Sequence, residues 1–224
     1  MSQHPYTKKA KAYRVAEAAF DEFKHQAQTL VRDEITKIPR AKPLIDAHAL
    51  LVEETSENSL QAWFGRRPTG RRTPDGISDV EVGASLVYSL GANGLVAAIL
   101  YPAESEMHGG IEKWIILGFR SAPHLQKALP KDLRALVAYC HVTSIDGSPR
   151  YSERWLVRWL RLSKRREING KQSIAGIGFL ARAAELVARA GLTAIFRIGL
   201  IVVVLLLAGW AGWDWLVGFF AKRY

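Results

Sequence analysis

The residues best suited by type and spacing to do chemistry are Glu104, Glu106 and His108, with Glu112 four positions further on. In an extended segment the first three share a face, and carboxylates with an imidazole can hold a divalent ion for hydrolysis. Metal ligands must converge within about 2 to 2.6 Å of the ion. Here they stand among Pro102, Gly109 and Gly110, which mark a polar connection. Asp46 with His48, and His141 with Asp146, are pairs without a third partner. Packed or solvated roles are expected for both. Cys140 lies in an apolar stretch read as a strand, where a thiol is normally inert. No Gly-Lys-Ser or Gly-Lys-Thr phosphate loop, Gly-x-Ser-x-Gly elbow or His-Glu-x-x-His helix occurs. The expectation is a non-enzymatic chain with no catalytic residues, metal or cofactor. The alternative is a membrane-associated, metal-dependent hydrolase using Glu104, Glu106 and His108.

A second constellation is physical rather than catalytic. From Arg150 to Arg166 the chain holds seven Lys or Arg against the single Glu153, within a whole-chain formal charge of +10. On a helix, Trp155, Leu156, Trp159, Leu160 and Leu162 fall on one broad face and Arg154, Arg158, Arg161 and Arg165 on another. Rings among headgroups with guanidinium groups beside anionic lipid define an interfacial helix, and each basic residue contributes on the order of 1 kcal/mol there. A fifth strand is the rival reading of this segment, and ordinary core packing the rival role of the two tryptophans. Nucleic acid is disfavoured as a partner, because no zinc finger, RNA-recognition signature or helix-turn-helix accompanies the basic patch.

The location follows from the tail. Residues 198–213 carry no charge, nine of them are Ile, Leu or Val, and the apolar run resumes after Asp214. At about 1.5 Å of rise per residue, 198–221 is long enough to cross a hydrocarbon layer roughly 30 Å thick. Trp210, Trp213 and Trp215 cluster at its far end as an aromatic belt would. Asp214 shares a helical face with Ala211 and Gly218, so a second helix could approach there and satisfy the carboxylate, which makes this face the candidate for homo-oligomerisation; the alternative is an Asp214 at headgroup depth that meets water. Basic residues before the run outnumber Lys222 and Arg223 after it, which places the N-terminal part in the cytoplasm. The start, MSQHPYTKK, lacks the apolar segment of a secretory signal. One cysteine allows no internal disulfide and fits a reducing compartment. Three regions are expected: a cytoplasmic α+β domain over 1–147, a basic amphipathic juxtamembrane region over 148–191, and a single-pass C-terminal anchor over 192–221. The resulting module would bind anionic lipid and an unidentified protein partner or signal.

The elements that must position these residues are legible in outline. With 224 residues and 49% hydrophobic content, the part before the tail can bury one ordinary core. Tyr13, Ala16, Phe20, Phe23, Ala27 and Leu30 recur at helical spacing and predict one long helix over about 6–38, packed on the protein's own sheet or forming a short coiled coil. A second helix is read over about 43–63, with an extended 50–54 as the alternative, and the Arg-, Gly- and Pro-rich 65–76 as a basic loop. Alternation over 80–90 predicts a strand that returns through Asn93-Gly94 into 95–101. Further strands are read at 114–119 and 136–145 with a short helix near 124–129 between them, and a helix capped by Ser173 is read up to Gly191. The sum is an α+β fold in which N-terminal helices cover a small antiparallel sheet of four or five strands, followed by a juxtamembrane helix and a transmembrane helix.

Overall fold

The computed structural model describes residues 5–108, 112–168 and 171–174, all within the unit Met1–Gly176. Helix α1 (Pro5–Thr36) arises from the apolar stripe seen in the sequence. Phe20, Phe23, Ala27, Val31 and Ile35 are buried on it. Helix α2 (Ala41–His48) follows and stops at Ala49, whose φ of 59° no helix continues. The expected helix over 43–63 is therefore corrected: Leu50–Ser56 is strand β1 and Ser59–Phe64 strand β2, paired antiparallel. Leu60, Ala62 and Phe64 are buried at a spacing of two, which is the period of a strand with one covered face.

The basic stretch after β2 is also a strand. Arg66–Arg72 forms β3 and pairs with β4 (Ser78–Val82) as a separate two-stranded ribbon. The single strand expected over 80–90 is two, because the chain turns at Gly83 before β5 (Ser85–Leu90). A Cβ on Gly83 would come within 2.5 Å of the Phe64 Cβ, so only glycine permits this crossing. Strand β5 returns into β6 (Leu95–Tyr101) through Asn93-Gly94 as expected; Gly94 has φ +74° and the Leu95 amide donates to Asn93 Oδ1 at 3.0 Å.

Strand β7 (Trp114–Ser121) pairs with β6, and a 3-10 turn (Ala122–His124) leads into helix α3 (Leu125–Thr143). The strand expected at 136–145 is thus overturned, and Cys140 lies on a helix. Leu125, Leu129, Leu133, Leu136 and Cys140 bury one helical face, and Pro130 is accommodated in the second turn. Helix α4 (Tyr151–Ser163) packs on α3, so the rival strand reading of this segment falls away. Strand β8 (Arg165–Ile168) then pairs with β7, and β9 (Lys171–Ile174) with β8. Ser173 lies in β9, and the rest of the helix expected up to Gly191 lies outside the described residues.

The main sheet has seven antiparallel strands in the order β1-β2-β5-β6-β7-β8-β9, more than the four or five expected. The core lies between its covered face, with Leu86, Tyr88, Val96, Leu100 and Ile115, and helices α1, α3 and α4. Tyr88 donates to Asp132 at 2.9 Å and Arg120 pairs with the same carboxylate, joining β5, β7 and α3 under the helices. Among the described residues no helix is long and apolar enough to cross a membrane. The expected anchor, with Trp210, Ala211, Trp213, Asp214, Trp215 and Gly218, lies outside them.

Candidate functional site: the outer face of helix α4

The entry of α4 is fixed by side chains distant in sequence. The Arg150 amide donates to Glu153 Oε2 at 2.7 Å, which makes Arg150 the cap of the helix. Arg40, from the turn between α1 and α2, donates through Nε to Glu153 at 3.0 Å and through a terminal nitrogen to the Ser148 carbonyl at 2.6 Å. Burial alone would push the Glu153 carboxyl up. The bonds from Arg40 and the Arg150 amide outweigh it and hold the group below its ordinary value.

With that entry set, successive residues turn by about 100° and the two sides of α4 separate. Val157 is fully buried, and Leu160 and Glu153 are at most 9% exposed. Tyr151, Trp155, Trp159 and Leu162 point the other way at 84%, 58%, 54% and 46% exposure. The two indoles stack with centroids 6.0 Å apart and planes within 7°. Arg154 and Arg158 are exposed on one flank of this wedge and make no ion pair among the described residues. Beside them runs an open groove of about 640 Å³ lined by Val142, Pro149, Tyr151, Trp155 and the three arginines 154, 158 and 161.

Arg161 has a different role. Its Nε donates to both oxygens of Glu112, at 2.7 and 3.0 Å, and the Glu112 side chain is only 1% exposed. Tyr139 of α3 donates to the same carboxylate at 3.0 Å, and Arg166 of β8 lies 3.7 Å away. Burial, then the Glu112 charge, raises the Tyr139 phenol well above its ordinary value, so it remains a donor. Glu112 therefore locks the last turn of α4 to α3 and β8. Sequence placed it beside the metal candidates because its partners lie 27 and 49 residues away.

Those candidates do not assemble. Glu104 bridges to Val82, Ser105 and His108 close a small turn, and Glu104, Glu106 and His108 are exposed. Among the described residues no three His, Cys, Asp or Glu gather where an ion could be held. Asp46 pairs with Lys42, and His141 bonds the Arg40 carbonyl. Cys140 is buried, which pushes its thiol up to about 12. One cluster escaped the sequence reading: Glu81, 1% exposed, accepts from Arg67 Nε at 2.8 Å, the Ser144 hydroxyl at 2.8 Å and the Ile145 amide at 2.7 Å. It ties the β3-β4 ribbon to the end of α3. These three donors from separate elements give the carboxylate a structural role.

Helices on one face of an antiparallel sheet make this an α+β protein, and α4 gives it an aromatic, basic outer surface. No family model matches the chain, and comparisons with curated proteins and with solved structures find no match.

Proposed function

We propose that this chain is a membrane-tethered, non-enzymatic binding or effector module acting at the cytoplasmic face of a membrane, with α4 lying against anionic lipid. The observation that carries this reading is the exposed, stacked Trp155–Trp159 pair beside Arg154 and Arg158, which make no ion pair among the described residues, on a helix whose opposite side is committed to the core. Aromatic rings at headgroup depth with guanidinium groups beside them are what an interfacial helix presents. The uncharged run 198–213 supports the tether, and Asp214 with Ala211 and Gly218 supports self-association through it.

Co-sedimentation with vesicles tests the lipid contact. Among the described residues the hydrophobic core lies within the unit Met1–Gly176, so a chain ending there retains that core and lacks the tether. It should pellet with phosphatidylglycerol-containing vesicles and much less with pure phosphatidylcholine. Arg154→Gln and Arg158→Gln should each weaken that binding by about 1 kcal/mol, roughly fivefold. Undiminished binding in the double variant would overturn the lipid contact. The full chain should resist carbonate extraction from membranes and lose that resistance when 198–221 is deleted.

A further inference from the structure

The face of the sheet opposite the helices carries a second aromatic site of contrary charge. Registers place Trp63 of β2 opposite Ser85 of β5, and Ser85 opposite Tyr101 of β6. Alternation puts all three on one face. The aromatic residues are separated by two strand spacings, about 9.5 Å between backbones, with the small serine between them. This leaves a slot inside a cavity of about 450 Å³, which Gln61 and Glu104 also line.

Its polar groups are held in place by their neighbours: Thr55 donates to the Gln61 side-chain oxygen at 3.5 Å. Ser85 is 7% exposed, and its small side chain sits on the floor of the slot between the two rings. Trp63 donates its indole N–H to Glu53 at 3.0 Å, which holds the ring by its edge and leaves its face available. Glu104 is exposed at the rim and makes no ion pair among the described residues. The Tyr101 phenol is raised by burial and then by the nearby Glu167 charge, so it is neutral and a donor. In a chain with 31 Lys and Arg against 21 Asp and Glu, no basic residue among the described residues lines this cavity. The one charged side chain among those lining residues is the Glu104 carboxylate.

We propose that this cavity binds a small organic cation, an ammonium or quaternary ammonium group held between Trp63 and Tyr101, with Glu104 as its counter-charge and Ser85 and Gln61 as polar contacts. Ring faces attract such cations, and a partly desolvated site strengthens the attraction. A carboxylate on the indole N–H increases the electron density of the Trp63 ring in the same direction.

The test is calorimetric titration of the full chain in a polyoxyethylene detergent, which carries neither a sugar nor a choline headgroup. The probes are choline, its uncharged isostere 3,3-dimethylbutan-1-ol, and glucose. Choline should bind saturably and at least about tenfold tighter than the isostere. Trp63→Leu and Glu104→Gln should each weaken choline about tenfold, with Glu104→Gln leaving the melting midpoint in place because that side chain is exposed. Tyr101→Phe, which keeps the ring, should retain most of the affinity. The proposal is overturned if choline fails to bind, if the isostere binds equally well, if glucose binds in its place, or if Glu104→Gln has no effect.

Discussion

Two aromatic pairs on this molecule are built from similar residues and lead to opposite surfaces. On α4, Trp155 and Trp159 stand one helical turn apart and stack at 6.0 Å, so no group fits between them and they act as a single wedge. On the sheet, Trp63 and Tyr101 are held two strands apart by Ser85, and the space between them remains open. The flanking charges differ as well: Arg154 and Arg158 beside the wedge, Glu53 and Glu104 beside the slot. Backbone periodicity thus decides whether two rings cover a surface or enclose a ligand, and the neighbouring charges set the sign of the partner. Each pair is also held by a carboxylate, Glu112 behind the helix and Glu53 at the indole edge.

The strongest way to break the comparison is to remove the helix-side clamp. Glu112→Ala leaves Arg161 and Arg166 without their buried counter-charge and Tyr139 without its acceptor. Stranding charges in this way should cost about 3 kcal/mol, read as a fall of roughly 10 °C in the melting midpoint. Glu112→Gln, which can still accept from Tyr139, should fall between the two. A shift below about 2 °C in Glu112→Ala would mean that the clamp does not position α4.

A smaller effect sharpens the distinction between surface and core. Replacing Trp155 and Trp159 together with alanine removes rings that are more than half exposed, so the fold should lose no more than about 0.5 kcal/mol. Binding to phosphatidylglycerol vesicles should weaken by about 2 kcal/mol, near thirtyfold, because the apolar area that would enter the interface is gone. A large loss of thermal stability with unchanged vesicle binding would instead make the pair part of the packing.

What was legible in the sequence follows the range of the interactions involved. The Asn93-Gly94 hairpin and the α1 stripe were readable because turn chemistry and helical period act over a few residues. Helix α4 was readable as a helix, but its buried side was not. Sequence grouped Trp155 and Trp159 with Leu160, whereas the core takes Val157 and Leu160 and leaves the indoles outside. That choice is made by Arg40 on Glu153 and Glu112 on Arg161, pairs 113 and 49 residues apart. Strand β5 was seen without its break because Gly83 is required by Phe64 on another strand. The end of α3 reads as a strand because Val137, Tyr139 and Val142 suit one and Pro130 hides the continuity with Leu125 and Leu129. The cation slot was invisible for the same reason: Trp63 was assigned to the end of a helix and Glu104 to a metal set, and only the register of β2, β5 and β6 brings them together.

Acid should separate the two regions most finely. His48, next to the end of β2, has Nδ1 3.0 Å from the Gly65 carbonyl, with Glu81 at 3.8 Å from Nε2 and Arg67 nearby. Burial, with a smaller contribution from Arg67, lowers its value below the ordinary 6.5, against the opposing Gly65 bond and Glu81 charge. Below pH 6.5 the unfolded chain therefore binds a proton that the folded chain resists, and stability falls as the pH drops from there toward the folded value. Glu153, under α4, is depressed below its ordinary 4.5, so its contribution is complete above pH 4.5 and is lost as the pH falls through the folded value. A melting profile against pH should show an upper limb beginning below 6.5 and a lower limb beginning below 4.5. His48→Gln should remove the upper limb and keep the lower one, while Glu153→Gln should do the reverse at a reduced overall midpoint. If His48→Gln leaves the upper limb unchanged, another group governs the sheet-side junction, and the two regions do not respond to acid through these residues.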